Sequence, residues 1–219
     1  YYVGIINNAR GGEVWRTKDG RQCERSLTAG FDDSQNVVLC SLVIHKNHLY
    51  FMASQTSAED KGVDILRTVD GKNWEKVVDD GFGIGGNQAV RAALQAYQGA
   101  LYLVTWNDDP RQGIPSTGFR LWKSMDGEFW QQVGEAGFGN PNNFKGALYV
   151  IRGVFYLVTL NLYDGNEIWR STDGENWDLF FTAPASVTSY GAGLYEVADG
   201  LEYLEHDLSR GIQIWRYGP

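Results

Sequence analysis

Four carboxylates recur in one local setting: Asp19 in Arg16-Thr17-Lys18-Asp19-Gly20, Asp70 in Arg67-Thr68-Val69-Asp70-Gly71, Asp126 in Lys123-Ser124-Met125-Asp126-Gly127 and Asp173 in Arg170-Ser171-Thr172-Asp173-Gly174. Carboxylates serve acid–base catalysis and metal coordination. Here each is followed by glycine, and the pair describes a turn. The carboxylate accepts backbone N–H bonds, and the glycine takes up a conformation strained for other residues. A second group is made of amides. Asn7, Gln55, Asn107 and Asn161 end apolar runs, while Asn36, Asn87 and Asn143 close connections beginning Ala29-Gly30-Phe31, Asp80-Gly81-Phe82 and Ala136-Gly137-Phe138; Arg91 and Lys145 stand beside them. Two readings stand for these polar columns. In one, each amide ties down its own loop, which accounts for the repetition. In the other, the amides and bases line one rim and meet a hydroxyl- or carboxylate-rich ligand such as a glycan.

The elements that must position these groups follow from the spacing. The basic residues Arg16, Arg67, Lys123, Arg170 and Arg216 fall 51, 56, 47 and 46 apart, a period that marks a stacked or radial repeat. Each unit holds four short runs of β pattern. The fourth reads Gly146 to Ile151, Val154 to Thr159, Glu167 to Ser171 and Asn176 to Phe180, with turn signals at Arg152-Gly153, Tyr163-Asp164-Gly165-Asn166 and Asp173-Gly174. The third run recurs as Val14-Trp15-Arg16, Ile65-Leu66-Arg67, Leu121-Trp122-Lys123, Ile168-Trp169-Arg170 and Ile214-Trp215-Arg216. Side chains alternate along a strand, so aliphatic and basic residues share one face and the tryptophan takes the other. A strand apolar on both faces is sandwiched between sheets, as in a blade of a β-propeller. The basic head is expected to snorkel to the rim.

The expected architecture is all-β: a single propeller domain over 1–219, with repeat units at about 1–36, 37–88, 89–143, 144–189 and 190–219. The first unit lacks the first run and the last lacks the fourth. Five four-stranded antiparallel blades are expected if edge strands lie outside this sequence, and six if a further repeat precedes it. The opening Tyr1-Tyr2-Val3-Gly4-Ile5 falls partway through a repeat, so upstream sequence is expected. Incomplete terminal blades leave edges that strand exchange between copies would pair.

Bulk properties narrow the function. The chain of 219 residues is 43% hydrophobic and 14% aromatic, with a net charge of −8, which excludes the basic face of a nucleic-acid binder. No run approaches the ~20 apolar residues of a membrane span. Cys23 stands where other repeats place tryptophan, and Cys40 lies in an apolar run; both are expected as buried, structural thiols. His45, His48 and His206 lack zinc-site spacing, and Asp108 and Asp109, in the long insertion from Asn107 to Gly118, fall short of a calcium loop. No metal and no cofactor is expected.

Ser171-Thr172-Asp173-Gly174-Glu175-Asn176-Trp177 resembles the Asp-box, the hairpin signature of sialidase-like propellers. Thr68 to Trp74 and Ser124 to Trp130 match the same pattern, and Thr17 to Cys23 matches except at its last position. The resemblance implies that Asp19, Asp70, Asp126 and Asp173, with Trp74, Trp130 and Trp177, are structural, on the face opposite the ligand. It implies a secreted or surface-attached protein. A sialidase also needs three converging arginines, a tyrosine nucleophile with a glutamate partner, and an acidic acid/base. The Phe-Arg-Ile-Pro-like segment of that family is missing, and Arg16, Arg67, Arg170 and Arg216 occupy one structural column. No catalytic residue is assigned. The expected function is therefore a non-catalytic binding propeller for glycan or protein ligands, with assembly through the terminal blades and a sialidase-like hydrolase as alternatives.

Overall fold

A computed structural model describes residues 1–5, 7, 9–32, 36–55, 62–83, 93–106 and 116–218. It holds five antiparallel sheets of three or four strands, a β-propeller. The first sheet is β1 (Tyr2–Ile5), β2 (Glu13–Thr17) and β3 (Cys23–Leu27); the second is β4 (Asn36–His45), β5 (His48–Gln55), β6 (Asp64–Thr68) and β7 (Glu75–Val78). The third holds β8 (Ala93–Tyr97), β9 (Ala100–Thr105), β10 (Arg120–Ser124) and β11 (Gln131–Val133). The fourth holds β12 (Lys145–Ile151), β13 (Val154–Leu160), β14 (Glu167–Ser171) and β15 (Asp178–Thr182), the four expected runs in order. β16 (Ser189–Val197), β17 (Gly200–Asp207) and β18 (Gly211–Tyr217) complete the set. The chain divides into two compact units, residues 1–107 with 122–131, and 108–121 with 132–219.

The aliphatic column of the third run seals the first four sheets. Val14, Ile65, Leu121 and Ile168 are all 0% exposed, whereas the fifth member, Ile214, is 57% exposed. A β-bulge recurs one residue further on, at Val14/Trp15, Ile65/Leu66 and Ile168/Trp169, where the outer strand carries one extra residue. Opposite the basic residue stands a tyrosine: Tyr2 pairs with Arg16, Tyr50 with Arg67 and Tyr156 with Arg170.

The basic heads reach beyond their own sheets. Arg16 Nη1 donates to the Asp70 carbonyl at 2.9 Å, and Arg67 reaches the Asp126 carbonyl at 3.4 Å and Glu128 at 2.5 Å. Tyr50 Oη donates to the same Asp126 carbonyl at 2.9 Å. The turns at Asp70 and Asp126 are thus each held by the repeat before them. Gly71 and Gly127 lie at φ 66° and 83°, and a Cβ on either would overlap the hydroxyl end of Tyr2 or Tyr50.

The connections between sheets carry a second recurrent device. Gly30-Phe31, Gly81-Phe82 and Gly137-Phe138 each place two successive residues at positive φ, with the phenylalanines at 54°, 68° and 54°. That conformation costs a non-glycine residue ~1–2 kcal/mol. The offset is aromatic packing. Phe31 meets Phe51 edge-on at 5.1 Å, Phe82 stacks on Trp122 at 4.5 Å, and Phe138 lies 5.0 Å from Trp169 and 5.6 Å from Trp177.

Candidate functional site

The aspartate turns are closed units. Asp19 Oδ1 accepts from the Arg21 and Gln22 N–H groups at 2.8 and 3.0 Å, and Asp70, Asp126 and Asp173 repeat this at the same offsets. The Ser or Thr two residues earlier accepts the glycine N–H, as in Ser171 with Gly174 at 2.8 Å. Backbone N–H bonds hold the Asp19, Asp70 and Asp126 carboxyls below the usual range; for Asp173 the Asn176 side-chain amide leads, with backbone help. Trp130 and Trp177 each donate Nε1 to their own turn glycine carbonyl, at 3.2 and 3.3 Å, whereas Trp74 donates to the Ser26 carbonyl at 3.1 Å. Cys23 departs from expectation: it is an exposed free thiol. Its short side chain covers none of the hairpin that an indole covers elsewhere. The Cys40 side chain lies outside the described residues.

Strand direction puts the connections at 161–166, 183–188 and 208–210 at the end opposite those turns. In the second unit this rim is a continuous polar network. Asn161 is fully buried; its Oδ1 accepts from the Tyr163 and Asp164 N–H groups at 3.0 and 2.9 Å, and its Nδ2 donates to Asn143 Oδ1 at 2.9 Å. Asn143, also buried, donates to the Gly137 carbonyl at 2.9 Å and to Glu167 at 2.7 Å. Lys145 opens β12 with Nζ 5.3 Å from the Phe144 ring centre. In the first unit, Asn7 Oδ1 accepts from Ala9 and Arg10 N–H groups at 3.0 and 3.2 Å. The structure therefore brings Asn143 and Asn161 together, inside the loops. Asn87, Arg91 and Asn107, with Asp108 and Asp109, lie outside the described residues, as do the side chains of Asn36 and Gln55.

Around this brace sit residues that the repeat columns did not single out. Asp164 accepts Asn142 Nδ2 at 2.8 Å and Asn140 Nδ2 at 3.1 Å, and these amides, in that order, lower its carboxyl pKa. Asn166 donates to Ser189 Oγ at 3.1 Å and to Tyr203 Oη at 2.9 Å. Tyr203, Glu205 and Asp207 alternate onto one buried face of β17. Burial pushes the Asp207 carboxyl up, but donors from Ser186, Ser209, Arg210 and Thr188 outweigh it and hold the group well below the usual range. Burial also pushes Glu205 up, against a hydrogen bond from Ser189 and the charge of Arg210, and here burial prevails. Glu205 Oε2 is buried, with no hydrogen-bond partner among the described residues. Arg210 bridges the two acids, with Nη2 2.9 Å from Asp207 and 3.8 Å from Glu205.

A cavity of about 460 Å³ opens beside this cluster, lined by Leu162, Tyr163, Ala185 to Thr188, Ser209 and Arg210. Tyr163 and Ser209 occupy one repeat position but differ in type, so alignment of the repeats gave no signal for them. Among the described residues, no three His, Cys, Asp or Glu side chains group as a metal site, and no helix is long and apolar enough to cross a membrane.

The fold is that of a β-propeller, and in the second unit its connection end carries a polar rim with an open depression. Neither a protein-family model nor a curated protein sequence matches the chain. Solved structures do. A prolyl endopeptidase is similar over 96% of this chain with TM-score 0.59 and 15% identity, and the chain spans 33% of it. A Hadza microbial sialidase is similar over 97% with TM-score 0.57 and 14% identity, the chain spanning 50% of it. A thermostable family-43 glycoside hydrolase is similar over 100% with TM-score 0.53 and 11% identity, the chain spanning 86% of it. At these identities the likeness is one of fold.

Proposed function

We propose that this protein is a non-catalytic glycan-binding propeller whose ligand meets the rim made by the connections from second to third run and from sheet to sheet, opposite Asp-box turns that are purely structural, and that it works outside the cell or on its surface. The observation that carries this reading is the cavity beside Tyr163 and Arg210. It is a shallow, open depression with one exposed aromatic ring and several polar groups along it, suited to a ligand held at the surface rather than enclosed. Two of the similar structures are carbohydrate-active proteins by name, which favours a glycan. The rim acids described here favour binding over hydrolysis: Asp207 is saturated with donors, Glu205 is buried, and Asp164 is fanned by amides.

A glycan array probed with the full chain tests the reading, and binding to one group of related glycans is the expected result. Turnover of a chromogenic sialoside panel by the same protein would overturn the non-catalytic part. A second reading, assembly through the three-stranded terminal sheets, is favoured by the exposure of Ile214 where its four equivalents are sealed. Light scattering that shows a multimer, dissociated by Ile214→Glu, would support it; a monomer at every concentration would end it.

A further inference from the structure

The side chains around the cavity are set up in an unusual way. Asp207 Oδ1 accepts from Thr188 Oγ1, Ser209 N, Ser209 Oγ and Arg210 N, each at 2.8 Å. Oδ2 accepts from Ser186 Oγ, from Arg210 Nε at 3.0 Å and from Arg210 Nη2 at 2.9 Å. A carboxylate offers about four lone-pair positions. These donors exceed that capacity, and the hydroxyls also bond one another, Ser186 to Thr188 at 3.0 Å and Thr188 to Ser209 at 2.9 Å. Three hydroxyls and one guanidinium are therefore fixed in place, the hydroxyl protons turned inward and hydroxyl lone pairs left to accept. Arg210 Nη1 has no hydrogen-bond partner among the described residues. All four of these residues line the cavity.

Across the same cavity, Tyr163 is 55% exposed and Val187 is 68% exposed. The Tyr163 backbone is not loose, because Asn161 holds its N–H at 3.0 Å. An exposed aromatic ring on a held backbone, lining one depression with a fixed hydroxyl edge, suits a ligand with an apolar C–H face and a polar O–H rim. The charge nearby argues against an anion. Arg210 is the one cation of the cluster, against Asp207 and Glu205, so the sum is zero with Glu205 protonated and negative with it ionised.

Resting on the glycan reading, we propose that the cavity between Tyr163 and Arg210 is a subsite for a single uncharged sugar residue. Its C–H face lies on the Tyr163 ring, and neighbouring hydroxyls of the sugar exchange hydrogen bonds with Ser186, Thr188, Ser209 and Arg210 Nη1. Asn161 is a positioning residue for this site, and buried Asp207 holds the hydroxyl edge.

The test is a glycan array carrying neutral, sialylated, uronate and sulfated glycans, probed with the full chain, Tyr163→Ala, Tyr163→Trp and Val187→Asp. The proposal expects neutral glycans to be bound, about tenfold more weakly by Tyr163→Ala and Val187→Asp, with binding retained by Tyr163→Trp. Melting temperatures of all three variants should match the parent, since both positions are surface-exposed. Neutral glycans bound equally by parent, Tyr163→Ala and Val187→Asp would overturn this subsite and leave the glycan reading standing. Preference for the anionic glycans would overturn the ligand class. An array blank for every glycan would overturn both readings together.

Discussion

Replacing Asn161 by alanine separates a brace from a ligand contact. The side chain is fully buried and makes three short hydrogen bonds, accepting from the Tyr163 and Asp164 N–H groups and donating to Asn143. Its removal strips the buried Asn143 Oδ1 of this donor, at ~1–3 kcal/mol for an unsatisfied buried acceptor. The two N–H groups belong to exposed residues, where water takes over and ~0.5 kcal/mol each is a fair allowance. The total is about 3 kcal/mol, a large share of a stability of ~5–15 kcal/mol. For a chain of this length that lowers Tm by about 6–12 °C. Asn161→Asp should be no better, since it keeps the acceptors but sets a carboxylate oxygen against Asn143 Oδ1 and near Asp164. Far-UV circular dichroism melts of the parent and both variants measure the effect. A melting temperature within about 1 °C of the parent for Asn161→Ala would refute the reasoning.

Other perturbations follow from the same geometry. Phe31→Ala should cost ~3–5 kcal/mol by loss of the buried ring, while Phe31→Gly should be about 1 kcal/mol less damaging, because glycine relieves φ 54°; urea midpoints in the reverse order would contradict this. Gly20→Ala meets open space and costs ~1–2 kcal/mol for its backbone alone, whereas Gly71→Ala should cost ~1–3 kcal/mol more, and Tyr2→Ala should recover that excess in a double-mutant cycle. The Asp19, Asp70, Asp126 and Asp173 carboxyls are depressed in the folded state, so their stabilisation is present above the unfolded value near ~3.9 and is lost as pH falls through the folded values. Urea midpoints should therefore fall steadily below about pH 4; a flat profile there would count against the turns. Glu205 is shifted the other way, so its ionisation opposes folding as pH rises. Glu205→Gln should gain stability over the parent as pH rises above the ordinary carboxyl range, and a gain that shrinks with pH would oppose the assignment.

The sheets were legible because their signals are local. Alternation along Glu167 to Ser171 and the turn at Asp173-Gly174 depend on neighbours in sequence, and β12 to β15 fall where the four runs placed them. The rim was legible only in its repeated members. Asn7, Asn143 and Asn161 stand out by recurring, and recurrence accompanies the loop-holding bonds they make. Asp207 stands in the column of Asn161 and holds the N–H groups two and three residues on in the same way, but as a carboxylate it does not stand out among amides. Tyr163, Ser186, Thr188, Ser209 and Arg210 come from three separate connections, and their convergence needs the strand register that only coordinates supply. The phenylalanines at positive φ were hidden for another reason. Their backbone is set by aromatic partners distant in sequence, Trp122 for Phe82 and Trp169 for Phe138, against the local preference.

The clasp between Tyr2 and Gly71, repeated by Tyr50 and Gly127, means that neither half of the device belongs to one repeat. The hydroxyl is encoded 69 residues before the glycine it covers in the first pair and 77 in the second. A repeat moved as a cassette would carry a tyrosine fitted to one neighbour and a glycine fitted to the other. Duplication of whole units preserves both fits, whereas exchange with a foreign unit keeps them only if the donor shares the same tyrosine–glycine pairing.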